Sequence, residues 1–118
     1  MRSRHWRLRL EDVLEAITRI ERYTTGMDLQ ALEADDKTVD AVVRNLEIIG
    51  EAARHVPQEA REGHAHVPWN TMQGMRNVLI HECFGVSLPI IWHTIKHDLP
   101  PLVPLLREIL DEDDVPEQ

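Results

Sequence analysis

Apolar residues return every third or fourth position through most of this chain, and that spacing constrains its fold more than any other feature. Leu10, Val13, Leu14, Ile17 and Ile20 share one face of a helix placed over residues 3–24 and stopped at Gly26. Val39, Val42, Val43, Leu46, Ile49 and Ala53 form a second stripe, in a helix that Asp36 or Thr38 should cap and that ends before Pro57. Few segments alternate apolar and polar residues over strand length, so there is little from which to build a sheet. The expectation is an all-α chain.

The same reasoning places a short helix over 28–34 and a fourth helix over 69–82. A fifth is capped by Ser87, with Pro89 in its first turn and Ile90, Ile91, Ile95 and Leu99 facing inward. A last helix is opened by Pro100, Pro101 and Pro104 and ends near Leu110. Residues 57–68, PQEAREGHAHVP, read as the one long connection, because prolines bound them and Gly63 breaks them. Short links between amphipathic helices predict an antiparallel bundle of five to six helices. Gly50 lies one turn past Leu46 beside its stripe. A helical glycine costs about 1 kcal/mol relative to alanine, so Gly50 is expected to mark a close helix approach.

At 118 residues the chain is most simply one domain, assigned here to residues 1–110, and its single cysteine, Cys83, excludes an internal disulfide. No apolar run approaches the roughly 18 residues that a membrane span needs, and no signal sequence is visible. The expectation is a cytoplasmic protein with no membrane partner. The net charge is −8, yet residues 108–118 hold six acids and no base, which leaves 13 bases against 15 acids before them. That end, 111–118, is expected to be a disordered acidic tail. The first ten residues carry four arginines and no acid. Such polarity allows contact with RNA at a local basic surface, and argues against the sequence-independent binding that scales with the number of phosphates neutralised.

The fourth helix carries the most informative chemistry. Arg76, Asn77 and His81 interrupt an apolar run in RNVLIHECFGV. Asn77 and His81 are helical neighbours four apart, and Arg76 lies about 140° round from His81. A guanidinium can clamp a phosphodiester and hold its developing charge, while imidazole, with an ordinary pKa of about 6.5, can move a proton at neutral pH. RNA supplies its own nucleophile in the 2′-hydroxyl. The opposing reading is that these polar residues solvate the outer face of the helix.

Arginine and histidine at this spacing recur at Arg61 and His66, but that pair falls in the Gly- and Pro-bounded connection, where no fixed geometry is expected. His93 and His97 are four apart, as two metal ligands would be, yet nothing obviously completes the set, so surface histidines are expected and no metal. Trp6, Trp69 and Trp92 are expected to anchor the core. Phosphate-loop, esterase and dithiol motifs are absent, and no cofactor is implied.

Four blocks, LEDVLEAITRIERYTTG, TVDAVVRNLEIIGEAARHVP, VPWNTMQGMRNVLIHECFGV and IIWHTIKHDLP, in this order and at these distances, resemble the HepT-like toxins of the HEPN superfamily. The resemblance implies a homodimeric helical-bundle ribonuclease toxin with RNA, not DNA, as its substrate, paired with a nucleotidyltransferase (MntA-like) antitoxin. The family motif is an arginine, four residues, a histidine, any residue and a tyrosine. Arg76, Asn77 and His81 match it, as phosphate clamp, orienting polar group and acid/base. The tyrosine, which the antitoxin adenylylates in family members that keep it, is replaced by Cys83. A metal-independent cleft shared between two chains is therefore expected, with an unusual silencing route. The alternative is a non-catalytic helical dimer that binds a nucleotidyltransferase or a nucleotide.

Overall fold

The computed structural model describes the backbone of residues 3–81 and 87–113, and the side chains of 5–77 and 87–112. Among these residues there is no strand. The helices are α1 (Ser3–Thr24), α2 (Leu29–Glu33), α3 (Asp36–Arg54), α4 (Gln58–Gly63), α5 (Trp69–His81), α6 (Leu88–His93) and α7 (Leu102–Asp113), with a π-helical turn over Thr94–Asp98. They form an elongated body of 53 × 27 × 20 Å. Among the described residues the chain is all-α as expected, with seven α-helices where five to six were anticipated.

Local chemistry sets the element ends. Gly26 closes α1 at φ 78°, a left-handed conformation that a side chain would oppose. Asp28 caps α2, its carboxylate accepting the Ala31 N–H at 2.8 Å. The cap of α3 is Asp35 rather than Asp36 or Thr38. Its carboxylate takes both the Thr38 N–H at 3.1 Å and the Thr38 hydroxyl at 2.8 Å. Thr38 thus donates to the cap, while Asp36 is the first-turn acid that the helix dipole favours.

The added helix, α4, lies in the segment expected to be a connection. Pro57 holds its N-cap at φ −64°, and Arg61 reaches back to bond the Ala53 carbonyl at 2.6 Å and the Val56 carbonyl at 3.2 Å. Ala53 lies in the last turn of α3 and Val56 just past its end, where a cation is favoured. α7 likewise runs past Leu110 to Asp113, and the Arg7 guanidinium caps its Leu110 carbonyl at 2.9 Å. Asp111, Glu112 and Asp113 are therefore helical, not part of a tail. Residues 114–118 lie outside the described residues.

Ile91, Ile95 and Leu99 are buried, whereas Ile90, expected to face inward, is 54% exposed. The buried set steps by four. An ideal α-helix would rotate that set by about 40° per step. The Leu99 N–H bonds the Thr94 carbonyl five residues back, and this wider turn takes up part of the drift, while Ile90, about 100° round from Ile91, falls off the buried face.

The central helix is α3, which packs on α1 on one side and on α5 on the other. Leu10, Val13, Ile17 and Ile20 of α1 meet Val42, Leu46, Ile49 and Ala53 of α3, and Trp69, Met72 and Met75 of α5 close the core. Leu102, Leu106 and Ile109 extend it along α7. Arg61 bridges the Ala53 carbonyl and the Gln73 side chain, and Gly50 touches Arg76, so α5 advances as α3 recedes: the two are antiparallel. Trp6 and Trp69 are buried as expected. Trp92 is only partly so, with the Lys96 ammonium 4.8 Å from its ring centroid.

Candidate active site

The site begins with a glycine. A methyl group built on Gly50 would lie 2.6 Å from both the Cβ and the backbone N of Arg76 and 3.1 Å from its Cα. No side chain fits there, so α5 rests directly on α3 at this level and Arg76 leaves the contact at its edge. The close approach expected of Gly50 is present, and the residue it meets is the motif arginine.

The Arg76 side chain is 41% exposed, and its Nε lies 3.3 Å from Oε1 of Glu51, the residue after Gly50. The other carboxylate oxygen of Glu51 accepts from Arg54 Nη1 at 3.0 Å. Arg76 is thus tied to α3 twice, through its backbone by contact and through its side chain by charge. Asn77 is exposed. His81 is the last described residue of α5, and its side chain falls outside the described residues, as does Cys83 altogether. Five residues of helix set Arg76 and His81 about 7.5 Å apart along the axis and about 140° apart around it.

Beside Arg76 runs a groove of about 430 Å³ lined by Arg9 and Asp12 of α1, by Arg44, Glu47, Ile48, Glu51 and Ala52 of α3, and by Arg76 itself. Three arginines and three carboxylates share it, so it is balanced rather than basic. Arg44 pairs with Glu47 at 3.2 Å. Of the arginine-rich start, Arg9 reaches this groove, while Arg7 is committed to the end of α7.

The second arginine–histidine pair behaves differently from expectation. Arg61 has a well-defined geometry, bonded to two carbonyls of the α3 end and, at 2.8 Å, to Gln73 Oε1. These contacts bind the chain to itself. His66 Nε2 lies 3.9 Å from Glu108 across an exposed pair. His93 and His97 are exposed with ring centroids 4.5 Å apart, and among the described residues no group of three or more His, Cys, Asp or Glu could hold a metal ion. No helix among these residues is long and apolar enough to cross a membrane.

Glu51, Arg9 and Arg44 were not singled out from the sequence. Glu51 is 25 residues from the arginine it touches, and only Gly50 beside it signalled that another helix would arrive there.

The model of the HepT-like ribonucleases matches residues 13–109. The chain is 44% identical over 93 residues to a Thermococcus cleftensis protein named "Probable ribonuclease HepT", covering 79% of this chain and 84% of that one. It is 41% identical over 104 residues to a protein of Caldanaerobacter subterraneus named as an RNase, covering 88% and 93%. An RNase-named protein of Methanocaldococcus jannaschii is 38% identical over 91 residues, covering 77% and 84%. No solved structure matches the chain.

Proposed function

The chain belongs to the HepT-like ribonuclease family, and from that premise we propose that it is a metal-independent endoribonuclease toxin working at a cleft shared by two copies. The observation that carries the reading is the seat of Arg76: a half-exposed guanidinium on a helix locked against α3, five residues before His81. A clamp for a charged transition state has to be held in place before substrate arrives.

In this reading His81 takes the proton of a ribose 2′-hydroxyl, and the oxygen attacks the adjacent phosphorus. The P–O5′ bond breaks, and the departing 5′-oxygen takes a proton from a second acid. Arg76 holds the phosphate and the negative charge that builds on its oxygens. Asn77, on the turn before His81, orients the reacting groups. Each chain offers one motif histidine, on a different side of α5 from its arginine, so a two-fold axis near the end of α5 would supply both the base and the acid. The positive charge comes from arginine, and the reading assigns no metal.

The chemistry leaves a signature. RNA incubated with the protein in chelator should yield fragments ending in 2′,3′-cyclic phosphate and beginning with 5′-hydroxyl. A single 2′-deoxy substitution at the cut should block that cut. Light scattering should give the mass of a dimer. Expression alone should arrest growth, and co-expression of a cognate nucleotidyltransferase should relieve it. Cleavage that needs added metal, or products with 5′-phosphate, would refute the mechanism.

A further inference from the structure

We propose that Glu51 is the positioning residue for Arg76, an acid outside the arginine–histidine motif that sets the orientation of the phosphate clamp. The proposal rests on the ribonuclease reading and adds a component to its site. Arginine is flexible, and its side chain carries about 2 kcal/mol of rotamer entropy. Phosphate recognition nevertheless needs the guanidinium within about 0.5 Å of a productive position. Among the described residues no side chain of α5 pairs with it. Among the described residues Glu51 is the one carboxylate paired with Arg76, and it pairs through Nε at 3.3 Å.

The choice of atom matters. Glu51 meets the guanidinium as an ion pair on its Nε side rather than through a hydrogen bond, so it draws the charged group toward α3 and leaves the terminal Nη1/Nη2 edge to face a phosphate with two parallel donors. A blocking carboxylate would take that terminal edge itself. Glu51 is also held in turn: its Oε2 accepts from Arg54, one turn on along α3, at 3.0 Å. Its distance from Arg76 is set by the backbone contact at Gly50, where no side chain fits between the helices. Gly50 therefore fixes the height of the clamp and Glu51 its direction. With one carboxylate shared by two arginines, the cluster keeps one net positive charge for the phosphate.

The test uses the full-length protein labelled with 15N-arginine, with the Arg76 Nε–H resonance assigned by its loss in Arg76→Lys. The expected resonance is shifted in the wild type by the carboxylate beside it, and Glu51→Ala returns it to the position of a free arginine. In the same variant kcat for RNA cleavage should fall about 100-fold, as misplacement of a catalytic group by about 1 Å does, with KM little changed. Glu51→Gln, which keeps an acceptor oxygen, should recover part of both. Glu51→Ala should add no further loss to Arg76→Ala. An unchanged Nε–H resonance in Glu51→Ala would overturn the proposal, and so would cleavage that rises, since Glu51 would then be a block. A wild type that cuts no RNA would sink the ribonuclease reading, and the resonance would still decide whether Glu51 holds Arg76.

Discussion

Gly50 of α3 and Arg76 of α5 meet with no room for a methyl group: a Cβ at position 50 would lie 2.6 Å from the Arg76 backbone N. Two effects of Gly50→Ala oppose each other. Alanine favours the helix by about 1 kcal/mol, but overpacking a well-packed core costs about 1–3 kcal/mol. The atom met first is backbone, which cannot rotate away, so overpacking wins. Urea denaturation should show a net loss of stability for Gly50→Ala, and RNA cleavage should fall further than stability explains, because Arg76 moves with the helix. A neutral or stabilised variant would mean that the two helices are not tightly apposed there.

Gly50 also shows what was readable in advance. An unexplained glycine inside a regular apolar stripe announces contact, and the stripes of α1 and α3 placed Leu10, Val13, Leu46 and Ile49 in the core before any coordinates. Failures came where a tertiary partner decides. α4 forms around an arginine that reaches the end of α3, and which of the adjacent Ile90 and Ile91, about 100° apart on α6, turns inward is decided by the helices packed against them. Glu51 was invisible for the same reason: its role depends on a helix that arrives 25 residues later.

Arg61 and His66 share the spacing of Arg76 and His81 without sharing their proposed role. Arg61 is spent on the Ala53 and Val56 carbonyls and on Gln73. Arg61→Ala should cost stability, on the order of the 1.5–3 kcal/mol of a hydrogen bond to a charged group, measured by denaturation. His66→Ala should leave RNA cleavage unchanged. Loss of cleavage by a folded His66→Ala protein would place the active site in the wrong part of the chain.

The Asp35 cap gives a pH dependence of known sign. Hydrogen bonds from the Thr38 hydroxyl, and then from its backbone N–H, hold the Asp35 carboxyl below its ordinary value of 3.8. A carboxyl lowered in the folded state contributes stability that is present above the unfolded value and is lost as pH falls through the folded one. Asp35→Ala should therefore lower Tm at pH 7, and its deficit relative to wild type should narrow once the pH drops below 3.8. A deficit constant down to pH 2.5 would deny the charged cap its part.

Cys83 stands where the family motif has tyrosine and lies outside the described residues. A phenol accepts an adenylyl group stably, whereas a thiol would form a labile ester. Intact-mass measurement after co-expression with a cognate nucleotidyltransferase should show no stoichiometric adenylate on Cys83, and Cys83→Tyr should restore modification. A durable adduct mapped to Cys83 in the unaltered protein would refute this.

The central claim is that Arg76 and His81 cut RNA without metal, and single-turnover cleavage of RNA in chelator by wild type, Arg76→Ala and His81→Ala addresses it directly. Helicity and mass in solution are followed on the same samples. Removing an acid/base group should cost about 10²–10⁴-fold in rate, and removing the clamp a comparable factor, with fold and assembly unchanged. Undiminished cleavage by both variants, correctly folded, would contradict the account.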